Sequence, residues 1–391
     1  MFQTKRIYLD YAAATPVRKE VFSAMKPYFT KHFGNAGAIH REGVEVKKVI
    51  EDCRTRLSRL FRTRTGNVIF TSGGTESNNL AILGTLEATG KNWKDMEVIT
   101  TKLEHPSVLK VMEVLEARGV SIKYAPVNED GQIVLAEFKK LLSPKTTLVT
   151  FAYANSETGV IQPVKKITHM IRDYGGNIIS HLDASQAPLW LSCRIDSLGV
   201  DLMTLDAGKC HGPKGAGVLV YQGDAKLTSQ LHGGGQEGGL RAGTENTPLI
   251  VGMTTAFEIA QRDYEKRSES VRILRDLLTE EIVAAIPEAV VNGSVEERLA
   301  NNVNISLPGF DTEYAVIVLD AKGIAASTRS ACGAGEGIGS HVVREMTKDD
   351  ARAHATLRFT LGEETGKKDI KKVVITLKNH IDTMRQGNLP T

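Results

Sequence analysis

The feature that most limits how this chain can fold is a recurring unit. A short apolar run rich in Val and Ile ends in a cluster of glycine or other small residues, and a helical pattern follows. Val68 to Phe70 runs into Ser72-Gly73-Gly74 and then a helix. The same order returns in MEVITTKLEHPSVLKVMEVLEARG, in VSIKYAPV, and in LVTFAYANSETG with a helix over 163–173. It returns again in NIISHLDASQ and DLMTLDAGKCHGPKGAGVLVY. Short β-branched strands separated by helices of roughly ten or more residues predict a mostly parallel sheet with helices on both faces. Further helices are expected over 17–29, 40–61, the long segment 245–282, near 312–321 and over 367–386. A large α/β domain is expected over 17–250. A small α+β domain is expected from 251–391, joined by residues 1–16.

Composition removes several alternatives. Four cysteines in 391 residues exclude a disulfide-built scaffold, and with no CxxC unit among them no metal site is expected. Lys+Arg 49 against Asp+Glu 46 leaves a formal charge of +3, too near neutral for nucleic acid as the main ligand. No stretch approaches the roughly 18 apolar residues of a membrane span. The first residues, MFQTKRIYLDYAAATP, lack the apolar core of a secretory peptide, so a cytoplasmic location is expected.

Four strand-end features can carry chemistry. Ser72-Gly73-Gly74-Thr75-Glu76 opens a helix, and its backbone N–H groups can cradle a phosphate or form a plain turn. Asp183 ends an apolar strand, as a helix N-cap or as a functional carboxylate at the sheet edge. Lys209 lies among residues too small to cover it, as a solvated charge or as an amine held for a Schiff base. A pyridine-ring cofactor needs one carboxylate at its nitrogen and one lysine at its aldehyde, so Asp183 and Lys209 together favour the second reading. Cys332 sits in Ser330-Ala331-Cys332-Gly333, small residues that suit a reactive thiol, whereas a structural cysteine would pack among large apolar residues, as is expected of Cys53.

In their order, TSGGTESNN, LEHPSV, ANSETG, HLDASQ, GPKGAG, HGGGQEGGLRAGTEN, RSACG and LRFTLG make the chain resemble the cysteine desulfurases of the NifS and IscS type. These are pyridoxal-phosphate enzymes of the class V aminotransferase group, and the resemblance covers nearly the whole chain. It implies the type I fold of pyridoxal-phosphate-dependent transferases, with a mostly parallel seven-stranded sheet. It implies that Lys209 forms the internal aldimine with pyridoxal 5′-phosphate, that Asp183 keeps the pyridine nitrogen protonated, and that Gln186 bonds the phenolic oxygen. His105 would stack on the ring and relay protons, and Gly74 and Thr75 would bind phosphate. Ser156 would lie near the ring oxygen and substrate. Thr244 would reach the phosphate of a partner subunit, which implies a homodimer. Asn35 and Arg358 would grip the carboxylate of L-cysteine, and Cys332 would take its sulfur as a persulfide, leaving L-alanine. A sulfur-acceptor protein is implied as partner, such as an iron–sulfur scaffold or a tRNA-thiolation protein. Taken singly, His105 also reads as a helix-start cap, Arg358 as a surface pairing group and Asn35 as a turn residue.

The chain departs from that family at several positions. Asp206 stands where a hydroxyl usually donates to the phosphate, and Gly208 where a histidine does the same. Ser156 replaces an asparagine, Arg329 replaces a small residue, and Gly34 to Ala38 lacks the usual proline and serines. A carboxylate beside a phosphate repels it, so weaker cofactor retention than the family norm is expected. A selenocysteine lyase or another class V enzyme, and a catalytically impaired scaffold or regulator of sulfur assembly, are the rival readings.

Overall fold

A computed structural model describes residues 6–223, 225–328 and 339–386. Arg329 and Cys332 lie outside the described residues. The strands are β1 (Ile7–Tyr8), β2 (Val68–Thr71), β3 (Glu97–Thr100), β4 (Ser121–Tyr124), β5 (Thr146–Ala152) and β6 (Ile179–Asp183). They continue with β7 (Leu202–Asp206), β8 (Gly217–Tyr221), β9 (Val290–Val291), β10 (Asn302–Ser306), β11 (Ile324–Ala325) and β12 (Thr356–Thr360).

A seven-stranded sheet in the order β2-β8-β7-β6-β5-β3-β4 forms the centre. Its pairs are parallel except for the two made by β8, so the other strands run one way. The carboxyl ends of β2, β3, β5, β6 and β7 therefore share one edge, where loops leave the sheet and ligands of such folds bind. β2, β3 and most of β5 are buried on both faces, which explains their continuous apolar runs. Helix Gly74–Ala88 packs against β5 to β8. It buries Leu80, Ala81, Ile82 and Leu86, residues that between them face several directions around the helix, because it is wedged between the sheet and neighbouring helices.

Two small sheets accompany it among the described residues. β12, β10 and β9 pair antiparallel, and β1 pairs in parallel with β11. A bridge from Asp10 to Thr360 extends the link, so the N-terminal segment joins elements some 350 residues away in sequence. One apolar core runs from Val21, Phe61 and Phe257 through the sheet to Leu357 and Phe359.

The expected helix near 312–321 is Thr312–Ala321, and that expected over 367–386 is Lys367–Arg385. Helix 40–61 is Arg41–Phe61. The expected helix over 17–29 is two short ones, Lys19–Met25 and Pro27–Thr30, with Pro27 starting the second where it needs no N–H. The single long helix over 245–282 is likewise two, Thr247–Arg262 and Tyr264–Ala285, broken at Asp263. Arg267 explains the break. Its buried guanidinium reaches back to the Ala260 carbonyl at 2.9 Å and to Leu189 at 3.0 Å, satisfying a carbonyl that the first helix leaves open. Two further short helices, His341–Thr347 and Asp350–His354, precede β12.

Candidate active site

The shared strand edge opens into a cavity lined by Ala12, Ala13, Gly74, Thr75, Asn78, Leu103, His105, Ser107, Ser156, Asp183, Gln186, Asp206, Lys209 and Arg358, with a few small neighbours. Asp183 ends β6 and is buried. One carboxylate oxygen accepts from Asn78 Nδ2 at 2.8 Å. The other accepts from Ser185 N at 3.0 Å and Ser185 Oγ at 2.6 Å. No helix follows directly, so Asp183 is not an N-cap. It is a buried, oriented carboxylate facing a cavity. Beneath it, His181 sits fully buried between Thr150 Oγ1 at 2.8 Å and Thr204 Oγ1 at 3.0 Å. Burial pushes this imidazole down to about 4, which keeps it neutral and leaves Asp183 with no buried cation below.

Lys209 follows β7 in a single tight turn, Ala207–Lys209. Its Nζ donates to the Ala13 carbonyl at 2.6 Å. Gln186 Nε2 donates to the Ala12 carbonyl at 3.1 Å, and Lys214 Nζ to the Thr15 carbonyl at 2.8 Å. The N-terminal segment thus supplies main-chain acceptors to the site. His105 is both the helix-start cap and a cavity residue. Its Nδ1 accepts from Ser107 N at 3.1 Å and lies 2.8 Å from Ser107 Oγ. With Nδ1 accepting, the proton of the neutral ring sits on Nε2. Burial lowers the His105 pKa, and the positive charge of Lys209 adds to that against the pull of Asp183. Its neighbour Glu104 is fully buried and pushed up to about 8 by burial, opposed by a hydrogen bond from Thr101 and helped by the charge of Asp183.

Arg358, on β12, is no surface group: it is 1% exposed. Its Nη2 pairs with Asp10 Oδ1 at 2.8 Å and its Nη1 donates to the Ser156 carbonyl at 2.9 Å. Among the described residues its buried Nε finds no partner, nor does the buried Asn78 Oδ1.

The structure brings Lys209, Asp183, Gln186, His105, Gly74, Thr75, Ser156 and Arg358 into this one cavity. It does not bring Asn35 or Thr244 there. Asn35 is exposed, and its Oδ1 accepts from Gly37 N at 2.9 Å, so within this chain the side chain closes its own turn and does not stand beside Arg358. Thr244 is exposed and lines a separate hollow with Phe70, Glu237 and Arg241. Cys53, Cys193 and Cys210 are buried, and burial raises each thiol pKa. Cys332 is the remaining cysteine and lies outside the described residues. Sequence reasoning missed Asn78, Ser185, Ser107 and Asp10. Only Asn78 carried a signal: it lies one helical turn beyond Gly74, on the same face of that helix.

The donor set fits the ring of a pyridoxal cofactor. A buried carboxylate, a lysine amine held only by a hydrogen bond to a main-chain carbonyl, a neutral imidazole and an amide converge on one pocket. The phosphate end fits less well. The N–H of Gly74 at the helix start already donates to Asp206 Oδ2 at 3.1 Å.

Residues 7–373 match the family model described as aminotransferase class-V. The chain is 38% identical over 381 residues to a protein of Dictyoglomus turgidum called cysteine desulfurase IscS, covering 97% of this chain and 96% of that protein. Among solved structures, a NifS-like protein matches with a TM-score of 0.90 at 30% identity, covering 96% of this chain and 99% of that one. A structure described as SspA in complex with cysteine matches with a TM-score of 0.79 at 32% identity, covering 92% and 99%. With a β-edge cavity holding Asp183 and Lys209, and with these relatives along its whole length, the chain belongs to the class V aminotransferase family, among the cysteine desulfurases.

Proposed function

We propose that this protein is a cysteine desulfurase that uses pyridoxal 5′-phosphate, converts L-cysteine to L-alanine and carries the sulfur as a persulfide on Cys332. The observation that supports it most is the convergence of Asp183, Lys209, His105 and Arg358 on one cavity at the sheet edge. When bound, the cofactor supplies an electron sink for charge left on the substrate α-carbon. Lys209 would hold its aldehyde, Asp183 its ring nitrogen, and Gln186 and His105 would flank the ring.

The chain's own residues then have distinct tasks. Arg358, held on the cavity wall by Asp10 and the Ser156 carbonyl, would bring its positive charge to the substrate carboxylate. Lys209, whose amine among the described residues is held by the main-chain carbonyl of Ala13, would move a proton at the α-carbon. His105, neutral with its proton on Nε2, can donate a hydrogen bond from that nitrogen, and would relay a proton only after taking one up. The Cys332 thiolate attacks the substrate sulfur. An S–S bond forms as the C–S bond breaks, the electron pair stays with carbon, and the substrate's thiol proton is matched by one arriving at carbon. Alanine leaves and the persulfide passes to an acceptor protein, an iron–sulfur scaffold or a tRNA-thiolation protein. We also propose that the working unit is a homodimer, and that the chain divides into a large domain over 17–250 and a small one built from its two ends.

The test is incubation with cysteine and pyridoxal 5′-phosphate, reading alanine and Cys332-bound persulfide together. Both are expected in equal amounts, and Cys332→Ala is expected to keep the cofactor and lose the persulfide. Alanine without persulfide, or equal sulfur transfer by C332A, overturns the assignment. Preferential turnover of selenocysteine would instead support the lyase reading.

A further inference from the structure

Asp206 is the one acidic residue that the cavity places where a phosphate is otherwise expected. Helix Gly74–Ala88 starts on the cavity wall, and its N-cap, Gly73, has no side chain to cap it. Gly73 has φ of 148°, a conformation that side-chain-bearing residues rarely adopt. The N–H groups of such a helix start, with the helix dipole behind them, form an anion site. Here that site has an occupant from the chain itself. Asp206 Oδ2 accepts from Gly74 N at 3.1 Å, and Oδ1 accepts from Gly208 N at 2.8 Å. One carboxylate thus bridges the helix start and the turn that carries Lys209.

Asp206 is compensated by these amides rather than by a cation. Lys209 Nζ and Lys214 Nζ are turned to the carbonyls of Ala13 and Thr15. Gly208 is part of the same arrangement, since a Cβ there would lie 3.2 Å from Asp206 Oδ1. The aspartate and the glycine after it therefore act together: the glycine leaves room, and the carboxylate fills the cradle. A phosphate ester entering the cavity must displace the carboxylate from both amides or stand beside it as a second anion. Neither cost falls on a ring that lacks the phosphate.

We propose that Asp206 is a built-in substitute for the cofactor phosphate, so that this site separates pyridoxal 5′-phosphate from unphosphorylated pyridoxal far less than a site with a neutral donor at this position. The inference rests on the reading of the cavity as a pyridoxal site. Asp206 is here a selectivity residue, which acts on the choice of cofactor.

The experiment titrates cofactor-free protein with each compound separately. Binding is read by equilibrium dialysis, by the absorbance of the lysine-bound chromophore, and by mass after borohydride reduction. Wild type is compared with Asp206→Ser, which restores a hydroxyl, and with Asp206→Asn, which keeps the shape without the charge and serves if the serine variant fails to fold. The expected result is a rise of at least about tenfold in the preference for the phosphate ester in either variant, with pyridoxal affinity little changed. A smaller change in that ratio overturns the proposal. Failure of both compounds to attach to Lys209 in wild type and variants alike would overturn the pyridoxal reading itself, an outcome distinct from an unchanged ratio.

Discussion

Glu104 and His181 are two buried titratable residues near Asp183 whose protons pull stability in opposite directions. Glu104 keeps its proton up to about 8 when folded, against an ordinary value of 4.5. Between those values the folded state binds the extra proton, so stability falls as pH rises. His181 is held to about 4 against an ordinary 6.5. Between those values the unfolded chain binds the extra proton, so its contribution is lost as pH falls through that window. The slopes oppose each other from about 4.5 to 6.5, and Glu104 acts alone above that. Glu104→Gln imitates the protonated acid and has no such slope. Its stability relative to wild type is expected to climb from pH 5 to 8, by about 1 kcal/mol per pH unit. Urea titrations at several pH values check this, and a pH-independent difference would reject the protonated assignment. Which residues could be read from the sequence follows from chemistry at this scale. Asp183, Lys209 and His105 stand at strand ends in distinctive company, so their meeting in one cavity was legible. The partners that aim them were not. A main-chain carbonyl such as that of Ala12 or Ala13 leaves no trace in residue type, and Ser107 and Ser185 look like ordinary turn and helix-start residues.

At the scale of elements, the site depends on how closely β8 and the turn after β2 approach each other. A Cβ on Gly217 would lie 2.6 Å from Gly73 Cα and 2.9 Å from Gly73 N, backbone atoms that cannot swing aside. Gly217→Ala is therefore expected to cost about 1–3 kcal/mol by overpacking and to loosen cofactor retention, because the Gly73–Gly74 turn must shift. Chemical denaturation and cofactor loss on dialysis measure the two effects; an alanine variant with both unchanged would contradict the close contact. Element boundaries were legible where a local signal made them. Asp311 caps the helix starting at Thr312, accepting from Tyr314 N at 3.0 Å. The break at Asp263 was not legible, because the group that permits it, the Arg267 guanidinium, belongs to the following helix and acts through a tertiary contact.

At the scale of the whole molecule, the two ends of the chain meet at Arg358. Asp10 and Arg358 are 348 positions apart, and no pattern in the sequence connects them, which is why Asp10 escaped notice. Removing the carboxylate leaves a buried guanidinium unpaired, so Asp10→Ala is expected to lose about 3 kcal/mol of stability. The KM for cysteine is expected to rise more than kcat falls, since Arg358 would lose its fixed orientation. Unfolding curves and steady-state kinetics check both, and an unaltered KM would remove Arg358 from substrate binding. The overall layout was more legible than its joints: alternating strands and helices announced the parallel sheet, whereas the pairing of β1 with β11 depends on two-residue strands with no periodicity to read.

That meeting of the ends also sets a timetable. Chains emerge from the ribosome start first, and the large sheet can begin to form once Tyr221 is out. Lys209 and Asp183 would then be present, yet the Arg358 guanidinium that completes the cavity wall arrives only with β12, after nearly the whole message has been translated. On the proposed reading, a nascent chain stalled before that strand holds a half-made pocket without the guanidinium that would seize an amino acid by its carboxylate, so an unfinished copy would be kept from releasing reactive sulfur.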